Sequence, residues 1–322
     1  MEEDTRKFKV CSGSKPQVCP SSLSVAHLER EHFTEPQPIV CKYCGSTDVM
    51  KYGIRNGVQN YICSKCHRKF TAKDTPFHMQ TPIEQMGAAL NMFYDGMSLS
   101  SIARHLEESY KNHVDPSTVY RWVIRYTTKA INILEPLKPK VSDTWVVDET
   151  VLKIAGDNMW FWDVIDEGTR FLLASHLSSN RTILDVAVVM RRAWQRTDKA
   201  PKFIVSDGMS AYPDGIERVF GADAKNIRAY GLTDEINTNI IERFHGTVKS
   251  RTKVLRGFKT FETAELILDG FLVHYNFFRP HMSLLNKTPA EVAGIDAPAK
   301  NWTDVVRLAG DFQQCRPRFC IR

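Results

Sequence analysis

The stretch "NTNIIERFHGTVKSRTK" sets one acid, Glu242, at the head of a basic run, with six Lys or Arg residues and no Asp or Glu from Arg243 to Phe261. Such an acid is either a chance carboxylate on a solvated helix or a metal ligand beside a surface that grips a polyanion. Two further acids bear on the choice. Asp148 in "WVVDET" and Asp207 in "IVSDGMSAY" each follow an apolar run that reads as a buried strand. A charge at the end of such a strand costs free energy unless it is paired or metal-bound. Taken singly, each reads as an acid capping the next turn. Converging from two strand ends and a helix, Asp148, Asp207 and Glu242 would form an oxygen-only site of the kind that binds Mg²⁺.

A second set of residues carries different chemistry. Cys41, Cys44, Cys63 and Cys66 follow the pattern C-x2-C-x18-C-x2-C. Two such knuckles let four thiolates converge tetrahedrally on Zn²⁺, with a hairpin between them that turns at "RNG". A redox C-x2-C would not account for two copies flanking a hairpin. Upstream, Cys11, Cys19, His27 and His32 offer either a second zinc site or an N-terminal arm without one, because a Cys-x7-Cys spacing is not the usual knuckle. Cys315 and Cys320 receive no role.

The elements that must position these groups follow from composition and pattern. With 322 residues, 43% apolar and 25% charged, the chain has room for two or three domains and a sizeable core. No segment reaches the roughly 18 uncharged apolar residues of a membrane span, and "MEEDTRKFKV" lacks a signal-peptide core, so a cytoplasmic protein with no membrane partner is expected. A net charge of +6 permits nucleic-acid binding, and the excess is local, after Glu242 and around Lys65, Arg68 and Lys69.

Residues 80–134 read as three helices. Thr81 is expected to cap the first, Ser98 opens the second, and Asp115 with Pro116 starts the third. This is either a plain three-helix bundle or a helix-turn-helix. In the second case the third helix presents Ser117, Thr118, Tyr120 and Arg121 to the major groove. After the linker "EPLKPK" the pattern runs β-β-β-α-β-α-β-α, an α/β domain with a mixed five-stranded sheet flanked by helices. The expected organisation is an extension over 1–36, a zinc ribbon over 37–76, a helix-turn-helix over 80–134, a catalytic domain over 141–295 and a tail over 296–322.

"WVVDET", "IVSDGMSAY" and "NIIERFHGTVKSRTKVLRGFKTF", together with "HYNFFRPHMSLLNKTPAEVAGI", resemble DDE transposases with an RNase-H-like core, of the insertion-sequence IS-six (IS240-like) type. With 34 residues between Asp207 and Glu242, the resemblance implies that Asp148, Asp207, Glu242 and Lys249 form the active site. It further implies two Mg²⁺ (or Mn²⁺) ions, cleavage at terminal inverted repeats and strand transfer into target DNA. A homodimer or larger assembly on double-stranded DNA, in the cytoplasm and at the nucleoid of a prokaryote, would follow. Lys249 lies near two full helical turns beyond Glu242, on the same face. Lys249 and Arg251 would then meet phosphates, while His245 either contacts the scissile phosphate or is an ordinary packed or surface histidine. Two rivals stay open: an inactive, domesticated zinc-ribbon regulator, and an RNase-H-like nuclease that cleaves without joining.

Overall fold

The computed structural model of the chain describes residues 39–311 apart from 56, 72–74, 77–78, 230–237 and 256, so Cys11, Cys19, His27, His32, Cys315 and Cys320 lie outside the described residues. The chain divides into two compact units, the first ending at Thr71.

In the first unit, β1 (Val49–Arg55), β2 (Val58–Cys63) and β3 (Lys69–Thr71) form an antiparallel sheet in that order. The two cysteine knuckles are built alike. Gly45 N donates to Cys41 O and His67 N to Cys63 O, each at 2.9 Å, and both Gly45 and His67 have positive φ. Among the described residues, the buried apolar core of this unit is Cys41, Tyr61, Cys63 and Phe70. A sheet with so little to bury requires another source of stability, and the cysteines are placed to supply it.

The second unit opens with α1 (Ile83–Tyr94), α2 (Leu99–Tyr110) and α3 (Pro116–Leu134). Ser98 and Asp115 cap α2 and α3, accepting from Ser101 N at 3.1 Å and Ser117 N at 2.8 Å. Thr81 does not cap α1. The helix starts one residue later, behind Pro82, and Thr81 is buried with its hydroxyl 3.5 Å from Asn112 Nδ2.

Five strands follow: β4 (Thr144–Ile154), β5 (Asp157–Asp166), β6 (Leu172–Ser178), β7 (Phe203–Ser206) and β8 (Lys225–Arg228), in the order β6-β5-β4-β7-β8. The first three pair antiparallel through tight connections. The β4–β7 and β7–β8 pairs are parallel and need crossover helices, supplied by α4 (Ile183–Thr197) and α5 (Ala211–Phe220). The result is the mixed, helix-flanked sheet of an RNase-H-like fold. Next come α6 (Asn239–Val254) and α7 (Phe261–Val273), a π-helical turn over His274–Phe278, the short α8 (Pro289–Val292) and α9 (Trp302–Asp311).

The helices α1–α3 share one continuous core with this sheet. Tyr94 of α1 is their meeting point: its hydroxyl bonds Thr127 of α3 at 2.5 Å, its ring stacks on Trp302 of α9 at 4.8 Å, and it meets Phe271 of α7 edge-on at 5.1 Å. Gly270 lets α7 approach, because a Cβ there would lie 2.0 Å from Tyr94 Oη. At the β6 edge, Asn276 of the π turn bonds both Leu172 N and Leu172 O, at 2.8 and 2.9 Å, which seals backbone groups that would otherwise face a neighbour.

Candidate active site

Asp148 does not end its strand. It lies in the middle of the eleven residues of β4, which continue to Ile154. What ends is the neighbour. β7 pairs with β4 only over Thr144–Val146 and stops at Ser206, so beyond that point the edge of β4 is open. Val146 is opposite Val205; carried on by two residues, the same register sets Asp207 opposite Asp148. The two acids therefore meet at the carboxyl end of a parallel strand, where α/β sheets leave a crevice. Asp207 Oδ1 accepts from Met209 N at 2.9 Å, which folds the chain sharply into α5. Gly208 lets the Arg228 side chain pack against this turn, since a Cβ there would fall 2.2 Å from Arg228 Nη2.

Glu149 is the third member of this cluster: ligand oxygens of Asp148, Glu149 and Asp207 all lie within 4.8 Å of one another. Neighbouring residues on a strand point to opposite faces, so two carboxylates can meet here only because the β4 edge is open. The Glu149 side chain is just 3% exposed. It accepts a hydrogen bond from Tyr212 Oη of α5 and an ion pair from Arg181 Nη2 in the loop before α4. Burial raises its pKa, with Asp207 and Asp148 adding to the rise and Tyr212 and Arg181 opposing it. Burial and the same acids hold the Tyr212 phenol well above its ordinary value, so it remains a donor.

Residues 142–281 match DDE_Tnp_IS240, a family of DDE domains. Over these residues the chain is similar to the DDE domains of that family. The transposase for insertion sequence-like element IS431mec of Staphylococcus aureus (strain Mu50 / ATCC 700699) is 28% identical over 190 residues, 57% of this chain and 79% of that protein. Among solved structures, the HTLV-2 integrase catalytic core domain in complex with magnesium is 16% identical, with a TM-score of 0.38 over 49% of this chain and 98% of that one. The catalytic core domain of BIV integrase is 19% identical, with a TM-score of 0.37 over 47% and 93%.

Within the matched segment, Glu242 is on the exposed side of the first turn of α6 and is outside the 4.8 Å cluster. Its Oε1 accepts from Thr238 Oγ1 at 2.9 Å. Lys249 is exposed on the same helix, as its spacing implies.

His245 is not a surface group awaiting phosphate. It is 5% exposed, with Nε2 at 3.0 Å from Asp163 Oδ2 and Nδ1 at 3.5 Å from Asp148 Oδ2. The reason is the β4–β5 register, which puts Asp148 directly opposite Asp163. Two carboxylates facing each other on one face repel, and the imidazole of α6 is inserted beside both. Burial alone would lower the His245 pKa; the Asp148 and Asp163 carboxylates more than offset it and hold it at about 9. Asp163, fully buried, is pushed up to about 6 by burial, against the opposing effect of His245. Among the described residues its Oδ1 has no hydrogen-bond partner.

Arg251 also differs from expectation. It turns toward α1, 3.7 Å from Asp95 Oδ1 and packed over Gly96, which leaves its side chain 17% exposed. Its charge is thereby spent on a helix contact.

In α3, Ser117 and Arg121 are exposed and Thr118 and Tyr120 are half-buried, with Arg121 Nη2 bonding Thr118 Oγ1 at 2.7 Å. In the first unit, Cys41 and Cys66 Sγ lie 3.6 Å apart and Cys44 and Cys63 Sγ 3.5 Å apart. These distances are far beyond a disulfide. They are near the edge of about 3.8 Å that a tetrahedron of roughly 2.3 Å zinc–sulfur bonds requires. The four thiols fit a divalent metal, and the oxygen-only acid cluster fits a harder one.

The sequence reading missed Glu149, Arg181, Tyr212 and Asp163. An acid inside the apolar run "NMWFWDVID" was a readable signal for Asp163. Its pairing with Asp148 depends on register, which no local pattern shows.

Proposed function

We propose that the protein is an insertion-sequence transposase that binds terminal inverted repeats and cuts and joins DNA strands with Asp148, Asp207 and Glu242 as its metal-holding acids. The observation that carries this reading is the meeting of Asp148 and Asp207 at the open end of β7, with α6 anchored on Asp148 through His245. Glu242 lies three residues, about one helical turn, before His245 on α6, and the exposed face of that helix also carries Lys249. Bound Mg²⁺ would activate the attacking water or 3′-hydroxyl and stabilise the leaving oxygen of the phosphodiester. Asp148 and Asp207 present the ligand oxygens, and His245 holds Asp148 in place. Lys249 meets the phosphates of the strand. Arg121 and its neighbours on α3 read the element ends, and Zn²⁺ on the four cysteines shapes the ribbon that helps grip them. The protein acts in the cytoplasm as a dimer or larger assembly, because two ends must be brought together.

The test uses the full chain and duplexes drawn from the DNA flanking its coding sequence. Mg²⁺-dependent nicking followed by joining to a second duplex is expected, and both steps are expected to vanish in Asp148→Asn and Asp207→Asn while DNA binding persists. Unchanged nicking by either variant would refute the site. Nicking without joining would leave a nuclease.

A further inference from the structure

The loop between β6 and α4 places a cation beside the acids with donors to spare. Arg181 Nη2 pairs with Glu149 Oε1 and lies 3.9 Å from Asp207 Oδ2, and its guanidinium sits over the Trp160 ring at 4.8 Å. Glu149 is itself fixed by Tyr212, so the arginine is held by a buried, ordered partner. Its side chain is nevertheless 37% exposed. A guanidinium has five N–H donors, and among the described residues only Nη2 is engaged. A planar fork pinned on one side and open on the other suits two-point contact with phosphate, and little rotamer freedom remains to be lost.

We propose that Arg181 is a phosphate-holding residue of the active site, its outward N–H groups gripping non-bridging oxygens of the DNA strand that crosses Asp148 and Asp207. The proposal rests on the reading of those acids as a DNA-cutting site. The placement has a physical logic. Asp148, Glu149 and Asp207 together repel a phosphodiester, and a guanidinium 3.9 Å from Asp207 offsets that repulsion where the strand must approach. Were Arg181 only the counter-ion of Glu149, removing both charges together would leave DNA binding untouched.

That difference is the test. Binding of the full chain to a 40-base-pair duplex from the flanking DNA is followed by fluorescence anisotropy against KCl concentration, with Ca²⁺ in place of Mg²⁺. Each phosphate contact contributes about 0.9 to the slope of log K against log salt. The double variant Arg181→Leu with Glu149→Gln strands no buried carboxylate, and its slope is expected to be shallower by about 0.9. Glu149→Gln alone is expected to keep the wild-type slope. A scan with single methylphosphonates should weaken wild-type binding at one or two positions where the double variant is indifferent. If the double variant does not fold, Arg181→Gln is held to the same two criteria. Identical slopes and identical scans, in a protein whose wild type binds and nicks the duplex, would overturn the role of Arg181 alone. A wild type that binds but never nicks would overturn the reading of the acids, and this proposal with it.

Discussion

Replacing His245 by Gln removes the cation between two carboxylates, and the cost follows from the pKa of the imidazole. Raising that pKa from 6.5 to about 9 corresponds to about 3 kcal/mol of stabilisation of the folded state by the charged ring. Because the folded value lies above the unfolded one, this stability is complete below pH 6.5 and is lost as pH rises through 9. Asp163 titrates near 6, below that window. The second unit has about 250 residues, for which roughly 2–4 °C in Tm accompany each kcal/mol. The wild type should therefore lose roughly 6–12 °C between pH 6.5 and 9.5 from this source, whereas His245→Gln should start lower and stay flat. Tryptophan fluorescence reads the unit cleanly, because all 6 tryptophans lie beyond Thr71. The comparison of the two proteins cancels other groups that titrate in the window. Parallel Tm curves for wild type and variant, separated by a constant, would mean that His245 is not a buried imidazolium.

The third metal-holding acid is open to a direct contest. Glu242→Gln should reduce nicking to background, while Glu149→Gln, already engaged with Tyr212 and Arg181, should retain it within about tenfold; the reverse order would transfer the role to Glu149. The first unit should bind one Zn²⁺ per chain by mass spectrometry, and Cys63→Ser or a chelator should abolish amide-exchange protection in β1–β3 while the tryptophan-reported melt is unchanged. The expected magnitude is large, since zinc supplies on the order of 10–16 kcal/mol in such sites. Gly270→Ala should lower Tm by several degrees, because its Cβ would sit 2.0 Å from Tyr94 Oη and overpacking costs about 1–3 kcal/mol.

What the sequence made legible was local. The Ser98 and Asp115 caps and the succession β-β-β-α-β-α-β-α depend on neighbours within a few residues, and the structure has them as expected. The extent of β4 was not legible, because Asp148 reads as the end of the strand and Val151 breaks the polar–apolar alternation that would carry it on. In the folded chain, Thr150, Leu152 and Ile154 are buried while Val151 and Lys153 are exposed, a period of two in a strand that continues past the acid. The partners of the site acids were not readable. Asp163 reaches Asp148 through strand pairing, Arg181 arrives from a loop with no periodicity, and Tyr212 comes from the turn of α5 that faces Glu149. Arg251 and His245 belong to a basic stretch that looks solvated until packing turns both inward, His245 onto Asp148 of β4 and Asp163 of β5, and Arg251 onto Asp95 beyond α1.

Charge pairing at the site separates the acids in a way that residue type does not. Four carboxylates gather where β4, β5 and β7 meet: Asp148, Glu149, Asp163 and Asp207. Two of them come with their own cation. Glu149 has Arg181 in direct contact, and Asp163 has His245 at 3.0 Å. The same two cations reach Asp148 and Asp207 only at 3.5 and 3.9 Å, as second partners. Asp163 is fully buried and the Glu149 side chain nearly so, which is where an unpaired charge costs most, so the closer pairing goes where the desolvation is greater. Asp148 and Asp207 are left with the larger share of uncompensated negative charge and the greater access to solvent, at 16% and 42% side-chain exposure. A divalent cation entering this crevice gains most from those two oxygens and least from the pair already neutralised. On this ground we propose that Glu149 belongs to the frame that holds Arg181, and that the remaining ligand is Glu242 of α6, which has no ion pair among the described residues.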